Sequence, residues 1–136
     1  KGKFRITFSI SGCAIDQFAL YRPDVLLSFK DLAKTGCVEF LTETYYHSLS
    51  FLYSQKEFQR QVEKHKAKTQ ALFGQSSKVF RNTELIYSNE LGKVIGTMGF
   101  DGVLCEGVDA LLGGRNRSLI YRAKNTQNVK CLLKHY

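Results

Sequence analysis

The chain has 136 residues, of which 43% are apolar, 24% charged and 12% aromatic, with a single proline. That balance excludes a disordered, collagen-like or low-complexity polypeptide, because it supplies enough apolar surface for one sizeable core. The net charge of +8 is unevenly spread: no acid follows Asp109, while Arg115, Arg117, Arg122, Lys124, Lys130 and Lys134 leave only +2 for residues 1–109.

In chain order, Phe4-Arg5-Ile6-Thr7-Phe8-Ser9-Ile10 alternates at period two and reads as a first strand. Gly12 then releases the backbone into a turn, and Ala14 to Tyr21 form a short helix. The clearest helix starts at Pro23, whose fixed φ and missing N–H suit a first helical turn. It carries Val25, Leu26, Phe29, Leu32 and Ala33 on one face and stops at Gly36. Cys37-Val38-Glu39-Phe40-Leu41 is the second strand, followed by the loop Thr42-Glu43-Thr44-Tyr45-Tyr46-His47.

Ser54 and Glu57 match a capping box and open the next helix. Phe58, Val62, His65, Thr69 and Leu72 lie on its inner side, Lys56, Arg60, Lys64, Lys66 and Lys68 on its solvated side, and Gly74 ends it. His65 reads as a packed helix residue rather than a ligand. Lys78 to Glu84 is a third strand that turns polar at its end, followed by a helix with Leu91, Val94, Ile95 and Met98 inward and Gly99 at its close. Gly102-Val103-Leu104-Cys105 is a fourth strand, ending in Glu106-Gly107. Leu119-Ile120-Tyr121 and Val129 to Leu133 are further short apolar runs.

This rhythm of strand, loop and amphipathic helix predicts an α/β fold around a parallel sheet of four to six strands with flanking helices. A closed (β/α)-barrel takes about 250 residues, so residues 1–136 are expected to form a single incomplete barrel domain. Cysteines 13, 37, 105 and 131 show no C-x-x-C spacing and no paired histidines, which argues for reduced thiols in a cytoplasmic protein and against a metal site. No apolar run approaches the ~18 residues that span a bilayer, and the opening Lys1 to Arg5 lacks a secretory leader, so no membrane partner is expected. The basic C-terminal stretch reads as a solvated or packing face, with a nucleic-acid or interaction module as the non-enzymatic alternative.

Parallel α/β folds place reactive groups at the carboxyl ends of strands. Those ends carry Ser9, Ser11 and Cys13; Glu43 and His47; Arg81, Asn82 and Glu84; and Glu106 and Asp109. From the residues alone, Glu84 reads either as a rim carboxylate facing a polar ligand or as a group that caps the helix near Ser88 or pairs with Arg81. Glu39 reads as a site group or as an interior hydrogen-bonding residue of its strand. Tyr45 and Tyr46 read as sugar-ring platforms or as packing groups.

Three ordered stretches, Gly36 to His47, Val79 to Leu85 and Gly99 to Asp109, together resemble glycoside hydrolase family 57, the α-amylase and 4-α-glucanotransferase group. The resemblance implies part of a distorted, seven-stranded parallel (β/α)-barrel acting on α-glucans or maltooligosaccharides with retention of configuration and no cofactor. It implies Glu84 as catalytic nucleophile and the remainder of the barrel as partner; Glu39, Glu43, His47 and Glu106 are then candidates for contacts to sugar hydroxyls or for holding the nucleophile in place, and Arg81 for substrate binding. The Arg-Asn-Thr-Glu form looks most like the α-amylase branch. The family's His-Gln-Pro opening motif is missing, and Asp101 and Asp109, the only aspartates after Glu84, lie outside the context of the family's second catalytic group. The 136 residues alone are therefore expected not to turn over substrate. A polysaccharide deacetylase-like barrel is the alternative enzyme, but its metal needs two histidines four positions apart, and His47, His65 and His135 are scattered.

Overall fold

The computed structural model describes residues 4–135 and divides into two compact units after Ser77. In the first unit, β1 (Ile6–Phe8) pairs in parallel with β2 (Val38–Phe40) in the register Ile6↔Val38 and Phe8↔Phe40. Between them run α1 (Gly12–Tyr21) and α2 (Pro23–Lys34), and α3 (Gln55–Phe73) follows. Ile15, Leu26, Val38, Phe40 and Phe73 form its core, with Phe8, Phe18 and Phe29 packed around them. Phe40 and Phe73 stack with ring centroids 4.0 Å apart, and the edge of Phe29 meets Phe8 at 5.3 Å. Aromatic pairs in these geometries add about 0.5–1.5 kcal/mol each beyond their area.

Gly12 corrects the sequence reading: it is the first residue of α1, not a turn, and Ser11 caps the helix through the Ala14 N–H at 3.3 Å. What its missing side chain supplies is space, since a Cβ there would lie 2.4 Å from the Tyr45 ring. Only half of the capping box forms. Ser54 Oγ accepts from the Glu57 N–H at 3.2 Å, but the Ser54 N–H donates to the Ser50 carbonyl, and Arg60 and Gln61 take the Glu57 carboxylate. The buried face of α3 is Phe58, Gln61, Val62, His65, Thr69 and Phe73, with Leu72 half-buried and packed against the same core. Gly36 and Gly74 end their segments at φ 68° and 67°, a conformation glycine adopts without a side-chain penalty.

The second unit contains β3 (Val79–Arg81), α4 (Asn89–Thr97), β4 (Gly102–Cys105), α5 (Asp109–Leu112), β5 (Tyr121–Arg122) and β6 (Lys130–Leu133). Its sheet runs β3-β4-β6-β5. Phe80, Leu91, Ile95, Phe100 and Val103 are buried in it. The expectation of a parallel sheet holds for β3, β4 and β6 and fails for β5, which is antiparallel to β6. A parallel return takes a crossover of about a dozen residues or more, whereas residues 123–129 make a tight reversal, with Asn125 at φ 60° and the Ala123 N–H donating to the Val129 carbonyl at 2.9 Å. Among the described residues, no helix is long and apolar enough to cross a membrane.

Candidate active site

In the first unit the chain leaving β2 is buried from Leu41 to Tyr45, although the run includes Thr42, Glu43 and Thr44. Buried polar groups need partners, and α3 supplies one. His65 lies wholly inside, its Nε2–H donating to the Ile10 carbonyl at 2.8 Å while Nδ1 accepts from the Glu43 N–H at 3.5 Å. Burial lowers its pKa from the usual 6.5, partly offset by the Ile10 carbonyl and the Glu43 charge. The neutral ring thus ties the segment after β1 to the segment after β2.

Glu43 is 1% exposed, and its Oε2 faces His47 Nδ1 at 3.1 Å. His47 itself is half-buried at φ 50°, in a turn closed by its N–H on the Thr44 carbonyl and by the Ser48 N–H on Thr44 Oγ1. Glu39 corrects the interior reading: it is exposed on β2, and its Oε1 accepts from Ser77 Oγ at 2.6 Å. The alternation that buries Val38 and Phe40 turns the residue between them outward.

Tyr45 is a packing group, 3% exposed and laid over Gly12. Its hydroxyl donates to Asp16 at 2.6 Å, and Lys68 meets the same carboxylate at 2.7 Å. Those two hydrogen bonds hold Asp16 below its ordinary pKa, while burial and Asp16 push the Tyr45 phenol up. Lys64, expected on the solvated side of α3, lies 3.8 Å from the Tyr45 ring centroid and donates to the Tyr46 hydroxyl.

In the second unit β3 stops at Arg81, three residues short of the expected strand end. Glu84 and Leu85 both take left-handed backbone conformations, φ 53° and 55°, which no strand accommodates. The turn is held by the Leu85 N–H on the Asn82 carbonyl, the Ile86 N–H on the Thr83 carbonyl and Asn82 Nδ2 on the Ile86 carbonyl. The Glu106 N–H, just beyond β4, donates to the Leu85 carbonyl at 3.0 Å, so the turn after β3 is fastened to the end of its neighbouring strand. Glu84 is exposed, while Arg81 and Glu106 are half-buried. Ser88, not Glu84, caps α4, accepting from the Leu91 N–H at 3.1 Å.

Each unit therefore gathers its own candidates: Glu43 and His47 after β2, and Arg81, Glu84 and Glu106 after β3 and β4. The residues that sequence reasoning missed are supports: Asp16 beneath Tyr45, and Gln61, whose Oε1 accepts from Ser48 at 2.8 Å. Only their positions on amphipathic helices could have pointed to them. Among the described residues, no three His, Cys, Asp or Glu side chains are arranged to hold a metal ion.

The profile of glycosyl hydrolase family 57 matches residues 1–136. A Methanocaldococcus jannaschii protein named "Putative alpha-amylase" is 40% identical over 134 residues, which are 98% of this chain and 28% of that protein. The fold is similar to that of a 4-alpha-glucanotransferase from Thermococcus litoralis, with TM-score 0.83 and 19% identity over 96% of this chain and 21% of the other. It is also similar to a "putative polysaccharide deacetylase" from Mycobacterium smegmatis, with TM-score 0.70 and 12% identity over 96% of this chain and 40% of the other. At such identities these two likenesses speak for the fold alone. The chain spans less than a third of the length of the Methanocaldococcus relative.

Proposed function

The chain belongs to glycosyl hydrolase family 57, and from that premise we propose that it is part of a retaining glycoside hydrolase acting on α-1,4-glucans, with Glu84 as nucleophile. Under this reading the alternating strands and helices are part of a distorted (β/α)7 barrel that the full-length protein completes. The observation that carries it is the backbone of Glu84: a carboxylate in the turn at the carboxyl end of β3, held at φ 53°. A non-glycine residue held there costs about 1–3 kcal/mol, and such residues cluster where a side chain has to be aimed.

The chemistry asks one carboxylate to attack the anomeric carbon, forming a glycosyl–enzyme ester as the glycosidic C–O bond breaks. A second carboxyl group, about 5–5.5 Å away, protonates the leaving oxygen and then activates water. Asp101 and Asp109 do not occupy the context of that second group, so it belongs to other residues of the full-length protein. The 136 residues alone then do not turn over substrate. His47, positioned by the buried Glu43, and Glu39 offer polar contacts to sugar hydroxyls in the first unit. Arg81 and Glu106 do so in the second. The four cysteines are all free thiols, which supports a cytoplasmic location.

The test is Glu84→Gln in the full-length protein, which removes the nucleophilic charge at nearly constant volume. We expect kcat on maltooligosaccharides to fall more than about a hundredfold with KM little changed. A variant keeping most of its kcat would remove Glu84 from the role.

A further inference from the structure

Tyr45 and Tyr46 follow one another in the turn after β2 and meet opposite fates. Tyr45 is buried, whereas Tyr46 is 47% exposed. Exposure has not left the Tyr46 ring loose. The turn that carries it is closed by the His47 N–H on the Thr44 carbonyl at 3.0 Å, and the Tyr46 N–H donates to Gln61 Oε1 at 3.4 Å. Its ring meets that of Tyr45 edge to face, with centroids 4.9 Å apart and planes at 67°. Lys64 Nζ donates to its hydroxyl at 2.7 Å. Tyr45 is in turn held by Asp16, by its place over Gly12 and by the Cys13 N–H on its carbonyl at 3.1 Å.

Tyr53 shows an exposed tyrosine without such ties: it is 87% exposed, and its side chain makes no hydrogen bond or ring contact among the described residues. Fixing Lys64 and Tyr46 against each other at the surface costs side-chain entropy that an exposed hydrogen bond barely offsets. Given the α-glucan substrate proposed for the full-length protein, we infer that Tyr46 is a fixed aromatic platform on which one glucose ring of that substrate stacks. It binds the glucan and takes no part in bond cleavage.

A glucopyranose ring has an apolar C–H face and a rim of hydroxyl groups. The edge-to-face contact with Tyr45 uses at most one face of the Tyr46 ring, so the other is open to the C–H face of the sugar. The Tyr46 oxygen accepts from Lys64, while its own O–H has no acceptor among the described residues and is available to a sugar hydroxyl. The next residue, His47, adds an imidazole that Glu43 orients at 3.1 Å. Because the ring is held before the sugar arrives, binding freezes few further rotamers, and the entropic cost of association falls accordingly.

The experiment runs the full-length protein through native gels with and without soluble starch and converts the retardation into a dissociation constant. Wild type should be retarded. Tyr46→Ala and Tyr46→Leu, which remove the planar face, should weaken binding about five- to twentyfold, while Tyr46→Phe, which keeps it, stays within about threefold. The Leu variant retains apolar bulk at the turn, so a poorly folded Ala variant does not decide the result. Tyr53→Ala, a loose tyrosine of similar chemistry, should bind within about twofold of wild type. On maltooligosaccharides the Tyr46→Leu variant should raise KM and keep kcat within about twofold, the pattern of binding lost equally from ground and transition states. Wild-type retardation in both Tyr46→Ala and Tyr46→Leu would remove the platform and leave the α-glucan substrate standing. An equal loss in Tyr53→Ala or in Tyr46→Phe, or a fall in kcat at constant KM, would also overturn the inference. A wild-type protein that starch does not retard would overturn it together with the α-glucan substrate.

Discussion

After β2, a run of polar residues is sealed from solvent and made tolerable by side-chain partners: His65 under the Glu43 backbone, His47 against its carboxylate, and Ser48 and Gln61 beyond. After β3, the equivalent turn leaves Glu84 exposed and shapes its backbone through two consecutive left-handed residues and a tie from Leu85 to Glu106. The difference teaches how a protein places a carboxylate. Burial makes orientation a matter of hydrogen bonds, each needing a partner; exposure makes it a matter of φ and ψ, with the strain offset by the fold around the turn.

The largest way to break this comparison is His65→Leu. Removing the ring leaves the Ile10 carbonyl and the Glu43 N–H buried and unpaired, at about 1–3 kcal/mol each, so unfolding of the first unit should weaken by about 3 kcal/mol. A loss under about 1 kcal/mol would mean the network is incidental. Next comes Gly12→Ala, which drives a methyl group into the Tyr45 ring and its Asp16 hydrogen bond; we expect about 2 kcal/mol of destabilisation by urea unfolding.

In the second unit the expected sign is opposite. Glu84→Gly relieves the left-handed strain and should stabilise the unit by up to about 1 kcal/mol while abolishing the proposed activity. A destabilised variant would mean that the side chain, not the backbone, holds the turn. The same contrast has a pH signature. His65 has its folded pKa depressed by burial, so the stability it contributes is full above 6.5 and is lost as pH falls through the lower folded value. A thermal-unfolding series from pH 7.5 to 5 should show that loss in the wild type and not in His65→Leu, and parallel slopes for the two would contradict it.

Much of this was legible in the sequence. Pro23 and Gly74 marked helix ends through their own backbone geometry and Ser54 through a side chain that reaches its own helix's first turn, and the strands near 38, 79 and 102 announced themselves by apolar runs. The failures are of another kind. Left-handed conformations at His47, Glu84 and Leu85 carry no glycine to announce them, and the local hydrogen bonds that close their turns use ordinary residues with no distinctive pattern. So Glu84 was read as a strand residue when it lies in the turn beyond. The two readings of Glu39 stayed open in the sequence because a strand's period tells which residues share a face, not which face meets the core. The Ile10–His65 bond joins residues far apart in sequence, beyond the reach of any local pattern.

The central claim is that Glu84 forms a covalent bond to sugar. The most direct measurement incubates the full-length protein with a fluorinated maltosyl fluoride, which slows breakdown of a glycosyl–enzyme intermediate, and then sequences the labelled peptide by mass spectrometry. The account predicts one maltosyl unit esterified to Glu84. A label on another carboxylate, or none alongside products of inverted configuration, would contradict it.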